Sequence, residues 1–133
     1  MAEQDVDTIR GAYEAFARGD VPAVLGIMDP GVEWHEPGGG KSPSGTFNGP
    51  DAVAGEVFAP IQTNFDEYTV EPSEFSDEGS RIVVRGRFTG KNKSGAQLDT
   101  GFEHVFEMGD DGKVLRFENK PDDADAWAAG WSG

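Results

Sequence analysis

Cysteine is absent from the 133-residue chain. That removes a disulfide framework, a thiolate metal site and a cysteine nucleophile together. Bases are scarce: 11 Lys and Arg stand against 25 Asp and Glu, a formal net charge of −14. Nucleic acid and anionic membrane both bind through basic surfaces, so neither is expected as a partner. The same acidity fits a soluble surface and is compatible with a high-salt habitat. No run approaches the ~18 apolar residues of a membrane-spanning helix. The first residues, Met-Ala-Glu-Gln-Asp, lack the basic and apolar regions of a secretory leader, so a cytoplasmic location is expected. No Gly-x-Gly-x-x-Gly follows a strand pattern and no P-loop occurs, which leaves no nucleotide fingerprint. With two histidines and no His-x-x-His spacing, no metal site is expected.

What is present suffices for one domain, residues 1–133, with nine Phe, three Trp and two Tyr supplying large units of core. Val6, Ile9, Tyr13, Phe16 and Ala17 recur at helical spacing over residues 3–18, and Gly19 is a stop. Asp20 caps a second helix with Pro22 in its first turn and Val24, Leu25 and Met28 inward, ending at Asp29-Pro30-Gly31. Residues 37–49, rich in Gly, Pro and Ser, read as a long loop of the kind that serves as a lid or mobile segment. Pro50 opens a third helix with Val53, Ala54, Val57, Phe58 and Ile61 on one face, and Pro60 is placed to kink its last turn. Four runs of period-two alternation follow, near 66–76, 80–90, 97–108 and 113–120, joined by short turns, as in an antiparallel meander. Pro121 to Trp127 suits a short capped helix, whose Trp127 and Trp131 cover one end of the sheet. Helices followed by strands give an α+β fold: a cone-shaped, strongly curled antiparallel sheet with three N-terminal helices packed on its concave face.

The chemistry concentrates in Val32-Glu33-Trp34-His35-Glu36-Pro37. Alternation puts Trp34 and Glu36 on one face and Glu33 and His35 on the other. If the first face looks inward, Glu36 is a carboxylate against an apolar wall, the setting that raises a carboxyl's pKa. In the later strands Phe102, His104 and Phe106 share one face, and Phe117 and Asn119 share another; Phe88 points inward from the strand before. Trp34, Phe16, Phe58, Phe88, Phe102, Phe106 and Phe117, with Asn119, are the expected pocket. Arg85 and Arg87 alternate with Glu103 and Glu107 on the outer sheet face, where cross-strand ion pairs are expected.

Several segments together carry a resemblance to a known family. They are Tyr13-Glu-Ala-Phe16-Ala-Arg-Gly19-Asp20, Trp34-His35-Glu36-Pro37, Gly45-Thr-Phe-Asn-Gly49-Pro50-Asp-Ala-Val53 and Gly112-Lys113-Val114. The chain resembles the SnoaL-like polyketide cyclase and ketosteroid isomerase superfamily, over about residues 4–128. The resemblance implies the fold of nuclear transport factor 2 and a homodimer formed through the outer sheet face. Ketosteroid isomerases carry a catalytic Asp immediately before a Pro at the end of this strand; Glu36-Pro37 occupies that place. Their acidic oxyanion donor, counted back from the Gly-Lys hairpin, corresponds to His104. Their helix-one tyrosine corresponds to Tyr13 with an offset of one residue.

The resemblance therefore implies Glu36, His104 and Tyr13 as catalytic residues. They would carry out cofactor-independent isomerisation, cyclisation or dehydration of a small hydrophobic carbonyl compound. Two other readings remain open at this point. One is a non-catalytic small-molecule-binding or dimerisation domain in which Glu36 and His104 are satisfied by protein. The other is an epoxide hydrolase drawing on Arg85, Asp99, Tyr13 and Asn119.

Overall fold

The computed structural model describes residues 2–133. Helix α1 (Ala2–Ala17) buries Ile9 and Ala15 and packs on the sheet at β3. Gly19, at φ 77°, ends it in a Schellman arrangement: Asp20 N donates to Ala15 O and Gly19 N to Phe16 O. Asp20 then caps α2 (Val21–Leu25), its side chain accepting from Ala23 N at 3.2 Å. This helix is shorter than expected. Met28 to Gly31 belong to strand β1 (Met28–Pro37), not to a helix and its stop, because the chain around Met28 pairs with Val114 across a bulge.

The segment expected to be a loop holds a further strand. β2 (Ser44–Asn48) pairs antiparallel with β1, Trp34 opposite Phe47 and Glu36 opposite Gly45. Gly38, Gly39 and Gly40 take positive φ angles that allow the chain to reverse there. The remaining connection is pinned by Lys41 N to Trp131 O at 2.9 Å and Ser42 N to Gly39 O at 3.1 Å.

The third helix is composite. α3 (Pro50–Val53) runs into a π turn (Ala54–Phe58) and then α4 (Ala59–Asn64). Ala59 N reaches back five residues to Ala54 O. Pro60 lies just beyond; it has no N–H to give Glu56 O and its ring would press on that carbonyl, which a widened turn relieves.

Strands β3 (Phe65–Asp77), β4 (Arg81–Asn92), β5 (Gln97–Met108) and β6 (Val114–Pro121) form the expected meander, followed by α5 (Ala124–Gly130), which Asp123 caps. The order is β2-β1-β6-β5-β4-β3. β1 lies parallel to β6, so the sheet is mixed and not antiparallel throughout. Nor is it strongly curled. Its pairing is interrupted locally, by register shifts between Met28 and Glu33, Phe65 and Glu67, Pro72 and Glu74, and Glu107 and Met108. Gly86 lies opposite Pro72 because a Cβ there would run into Glu71 O and the Phe102 ring. The helix count differs as well, since the third helix is broken into two α segments about a π turn, whereas the expected C-terminal helix is present as α5. The core lies between the helices and the inward sheet face, with Val32, Val53, Ile82, Val84, Leu98 and Phe102 nearly inaccessible.

On the opposite face Arg85 pairs with Glu103 at 2.9 Å, Arg87 with Asp99 at 2.6 Å and Arg116 with Glu107 at 3.0 Å. These pairs are exposed and contribute little to stability. They also separate Arg85 and Asp99 from the inward Tyr13 and Asn119, so the arrangement needed for epoxide hydrolysis is not assembled. Among the described residues no helix is long and apolar enough to cross a membrane.

One buried polar residue ties the C-terminus to the sheet. Asn92, 3% exposed, donates to Gly130 O at 3.0 Å and Ser132 O at 2.6 Å. Its Oδ1 accepts from Ser94 N, Ser94 Oγ and Ala96 N. Asn92→Leu strands these partners, and a loss of about 3 kcal/mol is expected in urea unfolding with the m-value unchanged.

Candidate active site

Alternation along β1 turns Trp34 and Glu36 inward, as expected, while His35 bonds Thr46 Oγ1 on β2 at 2.8 Å. Trp34 sits opposite Phe117 on the parallel neighbour, their rings stacked at 3.8 Å. On β5 and β6, His104 and Asn119 are direct cross-strand partners. That register lets His104 Nε2 meet Asn119 Oδ1 at 3.1 Å. Asn119 Nδ2 donates in turn to Glu36 Oε1 at 3.0 Å, and Trp34 Nε1 donates to Glu36 Oε2 at 2.7 Å. From α1, the Tyr13 hydroxyl reaches His104 Nδ1 at 2.6 Å.

The direction of each bond follows from what each group can donate. A carboxylate only accepts, so Asn119 turns its NH₂ to Glu36 and its carbonyl to His104. Nε2 must then carry the imidazole proton, and Nδ1 accepts from Tyr13. A single chain runs Tyr13 to His104 to Asn119 to Glu36, with Trp34 completing the carboxylate's hold.

Burial dominates the electrostatics. It pushes the Glu36 carboxyl up to about 7, against the opposing pull of the Asn119 and Trp34 donors. It lowers His104 to about 3, with the Asn119 bond opposing, so the imidazole is neutral. The Tyr13 hydroxyl is raised well above its ordinary value by burial alone.

These groups open onto a cavity of about 90 Å³. Tyr13, Phe16, Trp34, Glu36, Phe58 and Phe88 line it, as do Phe106, His104, Phe117 and Asn119. Phe102 is the exception among the expected wall residues. It is buried behind His104, the rings stacked at 3.9 Å, and supports the imidazole from the core. Trp127 and Trp131 also line it, their rings 5.8 Å apart. Among the described residues no three His, Asp or Glu side chains cluster as metal ligands would.

The family model for the SnoaL-like domain matches residues 9–117. The chain belongs to the SnoaL-like domain family. Solved structures similar to this SnoaL-like chain share its nuclear transport factor 2-like fold. An NTF2-like protein of unknown function from Burkholderia pseudomallei is 33% identical, with a TM-score of 0.81 over 89% of this chain and 90% of that one. Bal32a, from a soil-derived mobile gene cassette, is 26% identical with a TM-score of 0.89 over 98% of both chains. TerC, co-crystallised with polyporic acid, is 32% identical with a TM-score of 0.79 over 89% and 91%. No curated protein matches.

The SnoaL-like cavity also includes a residue that the sequence reading passed over. Tyr68 lines it from β3, and its hydroxyl is raised by burial and then by the charge of Glu36. The available signal was its alternation with Val70, which lines the same cavity.

Proposed function

We propose that this SnoaL-like domain performs cofactor-independent acid–base chemistry on a small hydrophobic carbonyl compound, with Glu36 moving the proton. One observation carries the reading: a single carboxyl, poised near neutrality, faces a largely apolar, aromatic cavity. A base of that pKa is well matched to abstracting a proton next to a carbonyl at neutral pH. Each oxygen of Glu36 retains a lone pair beyond those that Trp34 and Asn119 engage. His104 then acts through Asn119, orienting Glu36, since both of its nitrogens are bonded within the protein. Isomerisation, cyclisation and dehydration all begin with such a proton transfer. TerC, a solved structure 32% identical to this chain, was co-crystallised with a small organic compound, polyporic acid.

The direct test is deuterium incorporation next to the carbonyl of a panel of hydrophobic ketones, followed by NMR in D₂O. Exchange accelerated by the wild type and lost in Glu36→Gln supports the reading; acceleration that survives the substitution overturns it.

A second reading has its own observation in its favour. Every polar atom of Glu36 and His104 already has a protein partner, as in a binding domain without chemistry. In that case ligands bind, no ketone exchanges, and Glu36→Gln leaves binding intact.

A further inference from the structure

The polar groups of the cavity divide into those committed to protein and two that are not, the Trp131 Nε1, which is sealed from solvent, and the Tyr68 hydroxyl. Glu36, Asn119 and His104 are bonded to one another and to Trp34, and the Tyr13 proton is held by His104. Tyr68 lines the same cavity, yet among the described residues its hydroxyl has no hydrogen-bond partner, and it is not one of the side-chain polar atoms sealed from solvent. Its ring is fixed by aromatic neighbours, edge-on to Phe65 at 5.0 Å and to Phe16 at 6.4 Å, and tilted against Phe88 at 5.9 Å. The hydroxyl lies close enough to Glu36 to respond to its charge, and with its pKa raised it keeps its proton. A rigid, protonated, unpaired donor in a largely apolar site is set to meet an oxygen of whatever enters.

We infer that Tyr68 is the hydrogen-bond donor to the ligand's carbonyl oxygen, fixing that oxygen while the neighbouring C–H is presented to Glu36. The inference rests on the proposed function and specifies its ligand further: a hydrophobic compound whose carbonyl oxygen and acidic C–H are adjacent. As the proton leaves carbon for Glu36, the C–H electron pair forms the C=C of the enolate and the carbonyl electrons collect on oxygen. The Tyr68 donor strengthens as that charge grows. His104 has no proton free for this role.

The test compares two probes of nearly equal shape. 1,4-Naphthoquinone carries carbonyl acceptors and no donor; naphthalene carries neither. Binding of the quinone is followed by quenching of Trp34, Trp127 and Trp131, and binding of naphthalene by competition. Without cysteine, the quinone meets no thiol to alkylate. Tyr68→Phe is expected to weaken naphthoquinone about tenfold and leave naphthalene unchanged, the size of one hydrogen bond. An unchanged naphthalene affinity also reports that the cavity has kept its shape. If Tyr68→Phe binds both probes as the wild type does, the inference is overturned and the assignment of Glu36 is untouched. If neither probe binds the wild type, both readings fall. If ketone exchange survives Glu36→Gln while Tyr68→Phe still discriminates the probes, the assignment of the base fails and the Tyr68 donor stands.

Discussion

Glu36→Gln is expected to lower proton exchange on a responsive ketone by about a thousandfold, within the range attributed to general acid–base groups. The amide keeps the side chain's size and can still accept from Trp34, so the fold and the cavity should survive. What it loses is basicity. In the wild type the rate should rise with pH as Glu36 ionises and level off above about 7. The Asn119 bond favours the ionised form, so Asn119→Leu should move that inflection to higher pH. A rate that fails to rise through neutrality would exclude Glu36 as the base even if Glu36→Gln were inactive for another reason.

The second large effect lies in stability. Glu36 titrates near 7 folded against 4.5 as a free side chain, so the folded state holds a proton that the unfolded state releases. Its contribution to stability is present below 4.5 and is lost as pH rises to 7. His104 behaves in the opposite sense. It titrates near 3 folded against 6.5 free, so the unfolded state takes up the extra proton and stability is lost as pH falls from 6.5 toward 3. Each slope is about 1.4 kcal/mol per pH unit. Between 4.5 and 6.5 the two cancel, and the wild type should show a nearly flat stability there.

Glu36→Gln removes one slope and exposes the other. The variant should gain about 3 kcal/mol between pH 4.5 and 6.5, and at pH 8 it should be more stable than the wild type by a similar amount. Urea midpoints at half-unit intervals read this directly. A variant as flat as the wild type would mean that His104 is not buried and neutral. Below 4.5 both proteins should weaken together, because the buried His104 imidazole is common to both.

Much of the scaffold was legible in the sequence. Gly19 and Asp20 marked a helix stop and a cap that the structure reproduces, and the turns at 77–79, 91–95 and 109–112 located the meander. Residues 44–48 were not legible as a strand. Gly45 and the flanking Gly and Pro residues mask a run whose only support is pairing to β1, and local composition carries no record of that pairing. The parallel contact of β1 with β6 was hidden for the same reason: it joins segments about eighty residues apart.

At the site, the inward faces of Glu36, His104 and Asn119 followed from alternation. Their linkage did not, because it depends on the β5–β6 register, which is set across a bulge. Tyr13 seemed one residue out of place on its helix, yet the reach of a phenol brings its hydroxyl to His104. Tyr68 was passed over because the period of β3 cannot say which of its two faces will meet the helices.

The π turn at 54–58 has a consequence for how this cavity could change over generations. A π turn amounts to one residue inserted into an α-helix. Deleting one residue there would rotate 59–64 by about 100° against 50–53, carrying Ile61 away from a wall that Val57 and Phe58 also form. A one-codon deletion, more than any single substitution, is therefore a short evolutionary route to a roomier site and a different range of ligands, with Glu36 left where β1 holds it.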